Sequence, residues 1–158
     1  MNISAIGQDS HRFEHDGSTK PLVLAGVRIG GCPGLEGNSD ADVVLHALTN
    51  AVSGVGGVNI LGAVSDKLCA QGFTDSRLYL QKALETLHGF RIVHVSVSIE
   101  AKRPHLASHI SLMRESLARI FSIAPEHAGI TATSGEGLTA FGKGEGIQVF
   151  AIVTAESI

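Results

Sequence analysis

The sequence predicts one α/β (α+β) domain over residues 1–158, with a single layer of helices on a mixed sheet of four to five strands. Three observations predict it. Segments of strand period and of helix period interleave along the chain. Each helical segment carries one apolar stripe, so each asks for one buried neighbour. Hydrophobic residues make up 44% of the chain and charged residues 17%, a balance that suits a packed core and not a disordered chain.

Residues 2–8 are mostly apolar and read as a first strand running into Asp9-Ser10-His11. In extended backbone, residues i and i+2 share a face, so Asp9 and His11 project together. Residues 14–20 are a polar turn, and 21–24 and 27–29 read as strands around Gly26. Glycines at 30, 31, 34 and 37, with Pro33, form a loop leading into a helix that begins near Ser39. Ser39 and Asp42 make an S-x-x-D capping box there, and Asp40 and Asp42 suit its first turn. Val43, Val44, Ala47, Leu48, Ala51 and Val52 form the apolar face; His46 lies four residues past Asp42, on the same side as it. This helix fades at 53–57, and 58–74 read as irregular surface. A second helix starts at Thr74 or Asp75, with Leu80, Ala83, Leu84 and Leu87 at helical spacing and Gly89 as its stop. Residues 92–100 alternate, with Val93, Val95, Val97 and Ile99 facing the core. His94, Ser96, Ser98 and Glu100 form the opposite face, which is either wet or buried in an oligomer. Pro104 suits the first turn of a third helix, striped by Leu106, Ile110, Met113, Leu117 and Ile120 and ended by Ala124-Pro125. Residues 130–134 and 147–155 are the last strands, around a glycine-rich loop at 135–146.

The formal charge of −3, with no block of Lys or Arg, argues against nucleic acid or an anionic membrane surface as partner. Tryptophan is absent, so aromatic stacking platforms are poorly supplied. Cys32 and Cys69 form no C-x-x-C pair and read as reduced thiols of a cytoplasmic protein. The N-terminus lacks the pattern of a signal peptide, and no apolar stretch approaches the ~20 residues that span a bilayer.

Two sets of residues carry chemistry. Asp9, His11 and His46 are three N/O donors that leave a fourth position open, an arrangement of catalytic zinc or of non-haem iron. The plainer reading of His46 alone is a hydrogen-bonded histidine on a capped core helix. The second set is the glycine loop with Thr133, Ser134 and Lys143, whose backbone N–H groups, hydroxyls and cation can wrap an anion. It is neither a Walker A loop nor a Rossmann fingerprint, and its plainer reading is a glycine-rich hairpin. Glu136 beside such a loop suits Mg²⁺, which binds one carboxylate together with phosphate oxygens. Lys102-Arg103 is a second basic point; Glu136, Glu145 and this pair also read as ordinary solvated charges.

Five segments in order make the chain similar to a known family: I-G-Q-D-S-H-R-F at 6–13, S-D-A-D-V-V-L-H-A-L-T at 39–49, D-S at 75–76, P-H-L at 104–106, and T-S-G-E with G-K-G-E-G-I within 133–147. The chain resembles the 2-C-methyl-D-erythritol 2,4-cyclodiphosphate synthases over essentially its whole length. The resemblance implies a cyclase of non-mevalonate isoprenoid synthesis, acting on a diphosphocytidyl substrate with release of CMP. It implies a homotrimer of α/β subunits with sites between neighbours. Asp9, His11 and His46 match zinc ligands, and Glu136 matches the ligand of a Mg²⁺ or Mn²⁺ ion between the phosphates. Ala101, Lys102, Arg103, Pro104, His105, Leu106 and Ala107, with Thr133, Ser134, Gly135 and Glu136, match segments that hold cytidine and its diphosphate. Ser39, Asn59, Leu61, Asp66, Ala140 and Lys143 complete the implied substrate contacts. Asn38 and Ser134 stand at the catalytic positions, where the family has His and Thr. His105 replaces a Lys, and Lys143 an Arg able to grip phosphate with two donors. Asn38 raises an alternative, a non-catalytic trimer that binds a cytidine nucleotide or isoprenoid diphosphate.

Overall fold

In the computed structural model, which describes residues 1–158, the elements run β1 (Asn2–Arg12), β2 (Leu22–Leu24), β3 (Val27–Ile29), α1 (Val43–Gly56), α2 (Ala63–Ala70), α3 (Ser76–Leu84), β4 (Phe90–Glu100), α4 (Ile110–Phe121), β5 (Ala128–Thr133) and β6 (Gly146–Ser157). The main sheet has the order β1-β6-β4-β5, and β2 and β3 form a separate hairpin. β6 is antiparallel to both β1 and β4, while β4 and β5 are parallel. The parallel pair needs a crossover, which α4 supplies. β1, β4 and β5 therefore point the same way, and their C-terminal ends share one rim.

One sheet face packs on the helices. α1 lies on β1 and β6, α3 on α1, and α4 on β5. The core between them is a cluster of 34 buried residues, among them Leu45, Leu48, Tyr79, Leu80, Val97, Met113, Leu117 and Val149. Burying that much apolar surface is the main favourable term for a chain of this size. α1 is buried on almost every side, because it sits between the sheet and α3. Its approach to β1 is set by Gly7: a Cβ there would lie 2.1 Å from the Ala47 carbonyl oxygen and 2.4 Å from the Ala51 nitrogen. No side chain fits between that helix and that strand.

The start of α1 hangs on Asp42. Its carboxylate accepts from Leu45 N at 3.0 Å, Ala25 N at 2.9 Å and Gly26 N at 2.7 Å. It thus caps the helix and ties the β2–β3 turn to it. Complete burial pushes the Asp42 carboxyl up to about 7, and the three backbone donors hold it back only in part.

Several sequence-based expectations shift. The helix starts at Val43 and not near Ser39, because Ala41 has a φ of 55° and Asp42 is the cap. The Ser39 hydroxyl instead accepts from Ala41 N, 3.0 Å away. Asp42 and His46 do not act together, since the Asp42 side chain turns back to the helix start. The first strand runs on through Arg12, carrying Asp9 and His11 inside it. Residues 63–70 form α2, a surface helix with only Ser65 buried, so no apolar stripe announced it. α3 ends at Leu84, well before Gly89. A register shift between Ile92 and His94 puts Ile92 on the core and leaves Val93 half-buried. Pro104 lies in a loop, and α4 begins only at Ile110 and ends at Phe121.

Asp42→Ala leaves three inward-facing N–H groups without a partner and should cost about 3–5 kcal/mol in urea unfolding, Asp42→Asn clearly less. The folded value near 7 lies above the 3.8 of an unconstrained aspartate, so the folded chain keeps a proton over that interval. Stability from this group is therefore present at low pH and falls as pH rises toward 7. Unfolding midpoints measured across this range should decline in the native chain and flatten in Asp42→Asn.

Candidate metal centre

Asp9 and His11 stand on the core face of β1, and His46 one turn into α1. The Gly7 contact presses these two elements together, so the side chains meet. Asp9 Oδ2 lies 2.9 Å from His11 Nε2 and 3.1 Å from His46 Nδ1, and the two nitrogens are 3.2 Å apart. Three donors arranged tetrahedrally around zinc, at bonds of about 2.0–2.1 Å, would stand about 3.3 Å apart. The triangle is within a few tenths of an ångström of that. The donor set, one carboxylate oxygen and two imidazole nitrogens, suits a divalent cation.

The electrostatics agree. Burial alone would raise the Asp9 carboxyl, but when the imidazoles are protonated, their hydrogen bonds and charge hold it well below the usual carboxylate range; once they are neutral, the same two nitrogens are free to turn lone pairs inward. Burial would lower the His11 imidazole, yet the bond and charge of Asp9 push it above its ordinary value. The carboxylate is thus held in the anionic form a cation needs.

The triad opens into a cleft of about 240 Å³, lined also by Asn38, Ser39, Asn50, Leu61, Ser65, Asp66 and Tyr79. Asn38 is exposed, and its carbonyl accepts from Cys69 Sγ at 2.9 Å. A second recess of about 240 Å³ is lined by Ala101, Lys102, Pro104, His105, Leu106, Ala107, Ile110, Ala132, Thr133 and Ser134. The glycine loop closes over itself next to it. A Cβ on Gly135 would meet Glu100 Oε1 at 2.7 Å and Gly142 Cα at 2.9 Å. Ser134 caps the short turn Gly135–Gly137, accepting from Glu136 N at 3.3 Å, and Glu136 has a φ of 51°. The Glu136 carboxylate is exposed and accepts only from the Ser134 hydroxyl. A third recess, beside His11 and Arg12, takes in Ala140 and Phe141.

The structure does not gather every residue singled out in the sequence. Asn59 is exposed and lines neither the cleft nor the second recess; Gly135, Glu136 and Lys143 lie beside the recesses and not in their walls. The Arg103 guanidinium stacks over the Phe13 ring at 4.4 Å and pairs with Asp16 at 3.6 Å. Conversely, Asn50, Ser65 and Tyr79 were not expected in the cleft. Asn50 is four residues past His46, a helical spacing that could have flagged it; Ser65 and Tyr79 arrive from helices whose docking no local pattern encodes. The triad stands on β1 at one sheet edge and Thr133 on β5 at the other. Three strand spacings, roughly 14 Å, separate them.

Residues 3–156 match the YgbB family. The 2-C-methyl-D-erythritol 2,4-cyclodiphosphate synthase of Chlamydia felis (strain Fe/C-56) is 47% identical over 151 residues, covering 94% of this chain and 86% of that protein. The protein of the same name from Chlamydia muridarum (strain MoPn / Nigg) is 48% identical over 151 residues, covering 94% and 85%. Among solved structures, a 2C-methyl-D-erythritol-2,4-cyclodiphosphate synthase in its CDP-bound form matches with a TM-score of 0.82 at 28% identity, over 98% of this chain and 100% of that one. The bifunctional IspDF from Campylobacter jejuni matches with a TM-score of 0.89 at 27% identity over 100% of this chain, which spans 43% of that longer one.

His46→Ala should abolish stoichiometric divalent metal in elemental analysis of the purified protein. The variant should still fold when both are stripped by chelator, though at a lower midpoint than the native chain, because His46 is buried and its loss leaves a gap beside Ser76.

Proposed function

The chain belongs to the YgbB family, and from that premise we propose that it converts 4-diphosphocytidyl-2-C-methyl-D-erythritol 2-phosphate to 2-C-methyl-D-erythritol 2,4-cyclodiphosphate, releasing CMP. This is a metal-dependent phosphorus–oxygen lyase reaction of non-mevalonate isoprenoid synthesis. The 2-phosphate oxygen bonds to the β-phosphorus, the bond from that phosphorus to the CMP oxygen breaks, and the electron pair leaves with CMP. The observation that carries the reading is the donor triangle of Asp9, His11 and His46, on the same sheet rim as a hydroxyl-bearing recess.

In this reading Asp9, His11 and His46 would hold Zn²⁺, and Glu136 would hold Mg²⁺ or Mn²⁺. Bound there, the ions supply Lewis-acid polarisation and charge neutralisation at phosphate oxygens. The chain's own work is positioning, which is most of what a phosphoryl transfer asks of a protein. Ala101 to Ala107 receive the cytidine. The hydroxyls of Thr133 and Ser134 donate to the diphosphate, and Lys143 adds a positive charge; most N–H groups of the glycine loop are already bonded within it, so the loop mainly shapes the site. Asn38 donates its amide N–H toward the reacting phosphate, and Leu61 and Asp66 close the cleft on the side of the methylerythritol. Ser39 and Ala140 border the substrate, and Asn59 is assigned a peripheral contact.

The working unit we propose is a homotrimer. Two features support it. Ile6, Phe150 and Ile152 are 65%, 41% and 46% exposed and form an apolar patch on the open sheet face, where Ile6 pairs with Ile152 across β1 and β6. The cation cleft and the cytidine recess occupy opposite sheet edges, an arrangement that suits a neighbouring subunit bringing one of each together. No helix is long and apolar enough to cross a membrane, and both cysteines are free thiols, which agrees with a place in the cytoplasm.

Incubation with the diphosphocytidyl substrate, Zn²⁺ and Mg²⁺ should yield equimolar CMP and a cyclic diphosphate by mass spectrometry. CDP binding with no CMP released would favour the non-catalytic reading that Asn38 raises. Asn38→Ala should lower kcat by about 100-fold, the scale for losing one hydrogen-bond donor at a developing charge, with KM much less changed. Light scattering should give three times the 16.4 kDa of one chain.

A further inference from the structure

Both imidazoles of the triad can bind a cation only through a bare ring nitrogen, so each must carry its proton on the other one. The structure fixes this differently for the two. His11 Nδ1 lies 2.8 Å from the Glu36 carbonyl oxygen, which can only accept, so in the neutral ring Nδ1 holds the proton and Nε2 is bare. His46 has no carbonyl partner on its outward side. Its Nε2 lies 2.8 Å from the Ser76 hydroxyl, a group able either to donate or to accept. What faces His46 therefore depends on where the single Ser76 proton goes.

Asp40 decides it. The Ser76 hydroxyl donates to Asp40 Oδ1, and Ser76 N donates to Asp40 Oδ2 at 3.1 Å. An ionised carboxylate has only acceptor atoms, so the hydroxyl proton is committed to Asp40 and a lone pair is turned to His46. Nε2 must then be the protonated nitrogen, and Nδ1 is bare and faces Asp9 and His11. Asp40 cannot easily turn away. Its Oδ1 also accepts from Asp42 N at 3.1 Å, and its own N–H donates to the Thr74 carbonyl at 2.9 Å. Ser76 is fully buried and His46 nearly so, which leaves little room for water to take either role.

We propose that Ser76, held by Asp40, is a positioning residue that sets the His46 tautomer and so aims the Nδ1 lone pair into the triad. The proposal rests on the metal reading of Asp9, His11 and His46 and adds to it the group that prepares one ligand. In the chain lacking Ser76 Oγ, the His46 proton is free to move to Nδ1, where Asp9 Oδ2 at 3.1 Å offers an acceptor and competes with a cation. Partners of this kind are worth about 10–100-fold in metal affinity.

The test is ¹⁵N NMR of metal-free, histidine-labelled protein at mildly alkaline pH, beside Zn²⁺ affinity by chelator competition. Native His46 should be protonated on Nε2; protonation on Nδ1 overturns the proposal. Ser76→Ala should move the proton toward Nδ1 and weaken Zn²⁺ binding about 10–100-fold, and Ser76→Thr, which keeps the hydroxyl, should restore both. Unchanged tautomer and affinity in Ser76→Ala overturn it. Should Ser76→Ala fail to fold, the native spectrum still decides. The tautomer is read without metal, so a native chain that takes up no Zn²⁺ would sink the metal reading while the His46 spectrum still judges this one.

Discussion

The contact of α1 with the bare backbone of β1 at Gly7 is the constraint on which the rest depends. Asp9 and His11 belong to a strand, His46 to a helix, and they are 35 or more residues apart in the chain. Only a helix lying directly on the strand brings an imidazole from one within hydrogen-bond distance of a carboxylate on the other. A methyl group at residue 7 would fill the space that the Ala47 carbonyl and the Ala51 nitrogen now occupy. Further along the helix Gly54 meets the same strand: a Cβ there would lie 3.0 Å from the Ala5 Cβ. The metal site is thus first a packing result, and its chemistry follows.

Aspartates organise the ground around it. Asp42 ends the loop, starts the helix and ties in the β2–β3 turn, while Asp40 two residues earlier reaches across to the first turn of α3. Neither donates to a cation. They hold the two elements that flank His46, one carrying it and one carrying its hydroxyl partner. The other side of the rim is built by other means. There a glycine loop folds back on itself so closely that Gly135 and Gly142 leave no room for side chains, and many of its backbone N–H groups are spent within the loop, which leaves the hydroxyls of Thr133 and Ser134 at its edge.

Much of this was legible in the sequence because it is encoded locally. The i, i+2 spacing of Asp9 and His11 needs only extended backbone, and the alternation in β4 and β6 and the stripe of α4 are periodic. The failures have equally physical causes. S-D-A-D imitates a capping box at Ser39, and nothing local shows that Ala41 takes a left-handed conformation that delays the helix. α2 buries only Ser65, so it has no stripe to read. The register shift near Val93 breaks an alternation that looks perfect on paper. In the site, the donors could be found by residue type, but the partner of His46 could not. Ser76 meets Asp40 only because α3 packs on α1, and no spacing between residues 40 and 76 says so.

The placement of the triad on one sheet edge and of the hydroxyl-bearing recess on the other has a consequence for how output is regulated. An isolated copy carries the triad cleft and the hydroxyl-bearing recess on one rim, roughly 14 Å apart across the sheet. If neighbouring copies join one edge to the other, as proposed above, turnover would track self-association, and dilution alone would silence a chain whose every copy is correctly folded.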